Sequence, residues 1–159
     1  MAFKVFISYS THDMRLVYRL KQMLNHPPVE AFVAEYNIAP GGKLSPAIIE
    51  KIKSCDLFIL LWSDKAKNSE WVPQEIGIAV SESKIIMPVV LEKSLNLPGF
   101  IKDTKYLAAY QNPDSSLQWL QSNVFERAQK KQKRDGIVWF TLGAAFFWLF
   151  SQNDEEENE

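Results

Sequence analysis

Short apolar runs alternate with amphipathic stretches along residues 1–125. Leu57–Trp62 is apolar without interruption, which is typical of a strand covered on both faces. After Asp13, apolar residues repeat at helical spacing, and His26-Pro27-Pro28 ends that pattern. The predicted strands are Phe3–Ser8, Val29–Ala34, Leu57–Trp62, Ile85–Leu91 and Lys105–Tyr110. The predicted helices follow Asp13, Ser45-Pro46 and the polar segment before Trp71, and a last one covers Ser115–Arg127.

The order of these elements predicts an open α/β sheet. Strands and helices alternate, and the connections are too long for hairpins, so parallel strands with crossover helices follow. Ser45 is a candidate N-cap with Pro46 in the first helical turn. Pro88 is an irregularity, because proline has no N–H for a strand ladder. We therefore expect one domain over residues 1–125, with helices on both faces of its sheet.

The last part of the chain differs in composition. Residues 126–135 are rich in Lys and Arg, residues 136–153 carry no charge, and residues 154–159 are acidic. As a helix, 18 residues span about 27 Å, just under the roughly 30 Å hydrocarbon core of a bilayer. We interpret 126–135 as a juxtamembrane linker, 136–153 as a membrane anchor and 154–159 as a solubilising tail. The alternative is that 136–153 forms a last core helix on the domain.

Composition excludes several classes of function. The chain has 18 basic and 19 acidic residues, a net charge of −1, which argues against a nucleic-acid partner. One cysteine, Cys55, excludes an internal disulfide and a multi-thiolate zinc site, and two histidines argue against a His-rich metal centre. The first residues lack the basic stretch of a signal peptide. We expect the domain in the cytoplasm, membrane-anchored if residues 136–153 insert and otherwise free.

Polar groups collect where the predicted strands end. In an open parallel sheet, ligands bind outside the carboxyl ends of the strands. Trp71 and Glu75 are four residues apart at a helix start near that edge, so they share one helix face. Hydroxyls, an aromatic ring and one carboxylate suit a sugar or nucleotide, because the carboxylate can stabilise positive charge as a glycosidic bond breaks. The alternative is that Glu75 is only a first-turn acid favoured by the helix dipole.

Three motifs in order resemble those of a Toll/interleukin-1 receptor (TIR) domain, of the prokaryotic type. They are Phe6-Ile7-Ser8-Tyr9-Ser10, the loop around Pro40-Gly41, and Ser63 followed by Ser69-Glu70-Trp71-Val72-Pro73-Gln74-Glu75. The resemblance covers about residues 1–125. It implies a flavodoxin-like five-stranded parallel sheet, in which a proline in the fourth strand is common and would account for Pro88.

The resemblance also implies an activity and its residues. Many prokaryotic, plant and some animal members cleave NAD⁺ as glycohydrolases or cyclases, with NAD⁺ as substrate and no further cofactor or metal. By position, the catalytic glutamate is Glu75, and signalling or anti-phage defence is the implied role. The implied substrate-binding residues are Phe6, Ser8, Tyr9, Ser63, Ser69 and Trp71.

The chain departs from the family pattern at two places. Ser10-Thr11-His12 replaces arginines that many animal and plant members carry, so Lys43 or backbone amides are candidates for phosphate binding. The loop over residues 35–43 lacks the Arg-Asp often seen before its proline. The resemblance implies self-association with other TIR domains through this loop at Pro40, Gly41 and Gly42. A non-catalytic TIR scaffold and an enzyme acting on another nucleotide or nucleoside remain the alternatives.

Overall fold

The computed structural model describes residues 1–34 and 43–153, with side chains for 1–34 and 43–136. Over this part, five strands form one all-parallel sheet in the order β2-β1-β3-β4-β5. The strands are β1 (Phe3–Ser8), β2 (Val29–Val33), β3 (Leu57–Trp62), β4 (Ile86–Val90) and β5 (Leu107–Ala108). The helices are α1 (Met14–Leu24), α2 (Pro46–Ser54), α3 (Asp64–Lys67), α4 (Val72–Ser81) and α5 (Pro113–Asn153). The predicted open α/β fold is confirmed.

The core lies on both faces of the sheet because helices cover both. Side chains of β3 alternate between the two halves, with Leu57, Ile59 and Leu61 on one face and Phe58, Leu60 and Trp62 on the other. Helices α1 and α5 pack together, as do α2 and α4. All six residues of β3 are buried, as an uninterrupted apolar run in a central parallel strand predicts.

Two sequence features, Ser45-Pro46 before α2 and Pro88 in β4, have structural roles that follow from their chemistry. Ser45 accepts a hydrogen bond from the Ile48 backbone N–H at 3.3 Å and caps α2, with Pro46 in the first turn. On either side of β4, the carbonyl of Ile85 and the N–H of Leu91 bond to β3, so strand alternation turns the backbone of Pro88 toward β5. The ladder with β5 begins only at Val89. Pro88 therefore removes no ladder bond.

Three elements differ from the sequence expectation. The last strand is two residues long, shorter than the predicted Lys105–Tyr110. The polar segment after β3 forms a short helix, α3, whose cap is Ser63. Helix α5 runs on through residues 126–135, where a linker was expected, and ends at Asn153.

The predicted membrane anchor is not tested by these features. Among the residues that the structure describes in full, no helix is both long and apolar enough to cross a bilayer. Side chains of 137–153 lie outside that set, as do the acidic tail 154–159 and the predicted association residues Pro40, Gly41 and Gly42.

Candidate active site

A cavity of about 480 Å³ opens at the carboxyl edge of the sheet. One wall is the segment that follows β1, and the other is formed by α3 and the connection from α3 to α4. This is the place where an open parallel sheet binds ligands. The lining residues are Tyr9, Ser10, Thr11, His12, Lys65, Asn68, Ser69, Glu70 and Trp71.

Glu75 lies behind this cavity and is completely buried, with 0% of its surface exposed. It occupies the first turn of α4, where its backbone N–H bonds to the carbonyl of Trp71 at 3.0 Å. The hydroxyl of Ser8 donates to Glu75 Oε2 at 2.5 Å. Ser8 directly precedes Tyr9, and Trp71 lies one helical turn before Glu75. Both Tyr9 and Trp71 line the cavity. Glu75 is thus one layer beneath the cavity surface.

The burial of this carboxylate requires compensation. Glutamate is almost never fully buried unless it is paired, because removing a charge from water costs several kcal/mol, on the order of 5. The Ser8 hydroxyl supplies one hydrogen bond, and the N-terminal end of α4 supplies a favourable dipole. An ordinary first-turn acid gains that dipole energy while staying exposed. Full burial therefore distinguishes Glu75 from an ordinary exposed first-turn acid.

A second buried hydroxyl joins the two walls of the cavity. Ser63, at the end of β3, donates to Asp13 Oδ2 at 2.6 Å and accepts from the Ala66 N–H at 3.0 Å. Asp13 belongs to the 3₁₀ turn Thr11–Asp13 that follows β1. Because Ser63 also caps α3, this pair fixes the spacing of the two walls. The sequence pattern places Asp13 only at the start of α1, although its position after β1 also indicates the carboxyl edge of the sheet.

The residues proposed for substrate binding fall into two groups. Tyr9, Ser69 and Trp71 line the cavity. Tyr9 also donates from its hydroxyl to the Ala34 carbonyl at 2.7 Å, which ties the cavity to the end of β2. Ser69 accepts from the N–H groups of Trp71 and Val72 at 3.2 and 3.4 Å. Its hydroxyl therefore holds the start of α4 as well as facing the cavity.

The other proposed residues lie deeper or elsewhere. Ser8 and Ser63 are buried below the cavity surface, and Phe6 is part of the core, stacked on Phe58 with ring centroids 5.4 Å apart. Lys43 is exposed, beside the undescribed residues 35–42. The structure therefore places Phe6 in the core beneath the site.

Two nitrogen-bearing side chains that the sequence motifs do not propose as ligands line the cavity. They are His12 in the turn after β1 and Lys65 in the first turn of α3. His12 lies in the segment where the family pattern has arginines, and Lys65 is three residues after the end of β3. The rule that ligands bind beyond the carboxyl ends of strands could have found Lys65. Among the described residues, no three His, Cys, Asp or Glu side chains are grouped to hold a metal ion.

Comparisons with known proteins agree with this fold. A family model described as TIR domain matches residues 5–123. No curated protein sequence matches the chain. Several solved structures share the fold.

Three of these structures illustrate the range of proteins with this fold. The TIR domain of the Toll-related receptor TRR-2 from Hydra magnipapillata is 20% identical, with a TM-score of 0.56 over 76% of this chain and 96% of that one. The CMP N-glycosidase BcmB from Clostridium botulinum is 23% identical, with a TM-score of 0.53 over 74% and 97% of the chains. A metazoan TIR-STING receptor from C. gigas is 23% identical, with a TM-score of 0.54 over 72% of this chain and 38% of that one.

Proposed function

The chain belongs to the TIR domain family, and from that premise we propose that it cleaves the nicotinamide–ribose bond of NAD⁺. The C–N bond breaks with its electron pair leaving on nicotinamide, and the ribose carbon then bonds to water, with loss of a proton, to give ADP-ribose, or to a nucleophilic group of the same molecule to give a cyclic isomer. One observation carries the proposal: a fully buried glutamate, Glu75, hydrogen-bonded to Ser8 directly beneath a cavity at the ligand-binding edge of the sheet.

The chemistry asks little more of the protein than one carboxylate. Nicotinamide leaves as a neutral molecule from a cationic pyridinium, so no general acid has to protonate it. Positive charge develops on the ribose as the bond breaks, in an oxocarbenium-like transition state. A fixed carboxylate in a site shielded from water stabilises this positively charged transition state more than it stabilises the ground state. Glu75 is fixed by its helix and by Ser8, and is shielded by the cavity wall.

Access to Glu75 defines a further requirement. Because the carboxylate is one layer below the surface, a ribose can reach it only if the wall over Ser8 or the segment before α4 moves. That segment is tethered by the two bonds to Ser69, at 3.2 and 3.4 Å, which are near the long limit for hydrogen bonds. We propose a resting state in which the acid is covered and a working state in which this short segment has shifted.

The same burial favours a second candidate, a non-catalytic TIR module that acts by self-association. In that case Glu75 only stabilises the start of α4, and the loop at Pro40 would provide contacts between copies.

A third candidate is an enzyme that acts on another substrate. The CMP N-glycosidase with this fold also acts on an N-glycosidic bond, so a nucleoside monophosphate is an alternative substrate to NAD⁺.

One assay separates the three candidates. The full chain is incubated separately with NAD⁺ and with CMP over a range of protein concentrations, and the release of free base is followed by chromatography. Nicotinamide release that is lost in Glu75→Gln and retained in Glu82→Gln supports the proposal. Glu82 is a matched control because it caps the other end of α4 and is exposed. Release of cytosine alone would indicate that a nucleoside monophosphate, and not NAD⁺, is the substrate.

Absence of any release is informative only with a measurement of assembly. If the protein self-associates at the highest concentration used and still releases no base, the scaffold candidate is favoured. Membrane anchoring through residues 136–153 stays part of the proposal for localisation, with the domain on the cytoplasmic side. Carbonate extraction of membranes that contain the full chain tests it, because an inserted segment resists extraction and a peripheral one does not.

A further inference from the structure

A second cavity lies at the opposite, amino edge of the sheet. It has a volume of about 340 Å³ and is formed where α5 passes the starts of β1, β3 and β4. Four of its lining residues are cationic and one is acidic. The lining residues are Phe3, Asp56, Ile85, Arg127, Lys130, Lys131 and Arg134.

The cations form a stripe on one side of α5. Arg127, Lys130, Lys131 and Arg134 follow the spacing i, i+3, i+4, i+7, which places them on one helix face. In the preceding turns, α5 packs on the sheet through apolar residues and ends this buried stripe at Ala128. The side of the helix toward the domain thus changes from apolar to basic where the helix reaches the sheet edge.

One cation of the stripe has a structural role. Lys131 Nζ donates to both carboxylate oxygens of Asp56, at 2.8 and 2.9 Å, and to the Ala2 carbonyl at 3.2 Å. Its side chain is only 15% exposed. Asp56 therefore neutralises Lys131, and the pair anchors α5 to the sheet edge.

The other three cations are held more weakly. Lys130 pairs with Glu126 at 2.6 Å, but both side chains are largely exposed, and such a pair contributes about 0–1 kcal/mol. Arg134 approaches Asp135 only at 4.0 Å and is also largely exposed. Arg127 is half-buried and donates from Nε to Asn123, which leaves four other guanidinium donors in its inventory. An anion that binds more strongly than these exposed partners can therefore bind all three cations without disrupting the packing of the core.

We infer that this amino-edge cavity binds a phosphate group, and that the group is the headgroup phosphate of an anionic lipid. Two arginines and a lysine around a concave site match a phosphate in charge and in hydrogen-bond donors. The placement favours a lipid. Arg134 is two residues before the uncharged segment 136–153, and Arg127 is about 14 Å along the helix from residue 136. The lipid assignment rests on the membrane anchoring proposed above: basic residues beside an inserted segment attract anionic headgroups over a Debye length, roughly 8–10 Å, and long Arg and Lys side chains can extend toward them.

The test uses the full chain and two kinds of probe. Binding is measured by flotation with phosphatidylcholine vesicles that do or do not contain phosphatidic acid, and by calorimetry with glycerol 3-phosphate, the soluble counterpart of that headgroup. The cavity variant is Arg127→Gln, Lys130→Gln, Arg134→Gln. The charge-matched control is Arg15→Gln, Lys93→Gln, Lys102→Gln, three exposed cations away from this cavity. The readout is the ratio of binding to acidic over neutral vesicles, which removes any contribution of the apolar segment.

We expect the cavity variant to lose about fivefold in that ratio per cation, on the order of 100-fold in total, and the control to lose much less. Saturable binding of glycerol 3-phosphate without a preference for acidic vesicles would keep the phosphate site and overturn its lipid source. Equal losses in both triple variants, or no preference with either probe, would overturn the site. Lys130→Gln with Arg134→Gln is the second variant, since both side chains are about 74% exposed and their replacement leaves the packing intact.

Discussion

The carboxyl and amino edges of the sheet handle charge in opposite ways. At the carboxyl edge, the carboxylate proposed for catalysis is buried and fixed by Ser8, and the cavity surface above it carries mixed polar groups. At the amino edge, Lys130 and Arg134 form only exposed ion pairs, whereas Lys131 is held in a mostly buried ion pair with Asp56. A hidden, oriented charge suits stabilisation of a transition state, whereas exposed charges suit capture of a ligand from solution or a surface.

The difference shows that position on a parallel sheet is not enough to assign a role. Both edges have a cavity of several hundred Å³, and both are next to a helix. The two edges differ in how firmly a charged group is held. Glu75 is buried and hydrogen-bonded to Ser8, whereas Lys130 and Arg134 are largely exposed. The following variants test that distinction, beginning with the one that we expect to have the largest effect.

The first variant compares two acids of the carboxyl edge. Glu75→Gln should lower NAD⁺ turnover by roughly 10² or more, the scale of losing one preorganised electrostatic contact. Glu70→Gln, which removes an exposed acid that lines the cavity, should leave turnover within about threefold, since exposed charges are screened. Nicotinamide release measures both. A larger loss in Glu70→Gln would mean that the lining acid, not the buried one, faces the ribose.

The second variant removes the partner of the buried acid. Ser8→Ala leaves Glu75 Oε2 without its hydroxyl donor and should lower the free energy of unfolding by about 1–3 kcal/mol. Ser81→Ala is the control, because the Ser81 hydroxyl bonds to the Ile78 carbonyl on an exposed part of the same helix. It should change stability by less than about 0.5 kcal/mol. Urea unfolding followed by circular dichroism gives both values, and equal values would show that the buried bond contributes nothing special.

The third variant strengthens the amino edge instead of weakening it. Asp56→Asn frees Lys131 from its neutralising partner and adds one net positive charge to the cavity. Binding to vesicles with phosphatidic acid should rise about fivefold, the effect of one cation. Stability should fall by about 2 kcal/mol as a charge-assisted bond is lost. Asp103→Asn makes the same charge change at an exposed position, and an equal gain there would point to net charge alone.

The smallest effect concerns Cys55, which precedes β3 at the amino edge. Burial raises the pKa of the Cys55 thiol from 9.0 to about 11. The folded protein should therefore resist iodoacetamide at pH 8, and unfolding in urea should expose the thiol to full labelling by mass spectrometry.

The same thiol makes stability depend on pH. Between pH 9 and about 11 the unfolded chain loses this proton and the folded chain keeps it, so stability falls as pH rises, by up to about 1.4 kcal/mol per unit. Unfolding curves of Cys55→Ser should lack this component. An equal slope in wild type and Cys55→Ser would show that other groups dominate the alkaline limb.

The sequence predicts the fold well because the fold rests on local patterns. The uninterrupted apolar run of β3 and the Ser45-Pro46 helix start lead directly to the observed elements. Such patterns do not predict the two-residue length of β5 or the continuation of α5 through residues 126–135. A weak edge strand has little apolar signal, and a charged helix that leaves the domain resembles a linker in composition.

The candidate site is only partly readable from sequence. Motif positions bring Tyr9, Ser69 and Trp71 to one cavity, because strand ends and helix starts meet at one edge. Motifs carry no information on depth, so the burial of Glu75 and the core position of Phe6 emerge only from the structure. The bond between Ser63 and Asp13 joins residues 50 apart in the chain, and no spacing rule predicts it.

The unbroken helix α5 has a consequence for how the domain is aimed. A helix turns by about 100° per residue. One residue added or deleted between Arg127 and Gly136 therefore rotates the cavity of the carboxyl edge by that angle around the helix axis, relative to the end of α5. A deletion of seven residues restores the phase almost completely and shortens the reach by about 10 Å. In this chain, the direction in which the domain faces relative to the end of α5 is therefore set by the number of residues along one helix.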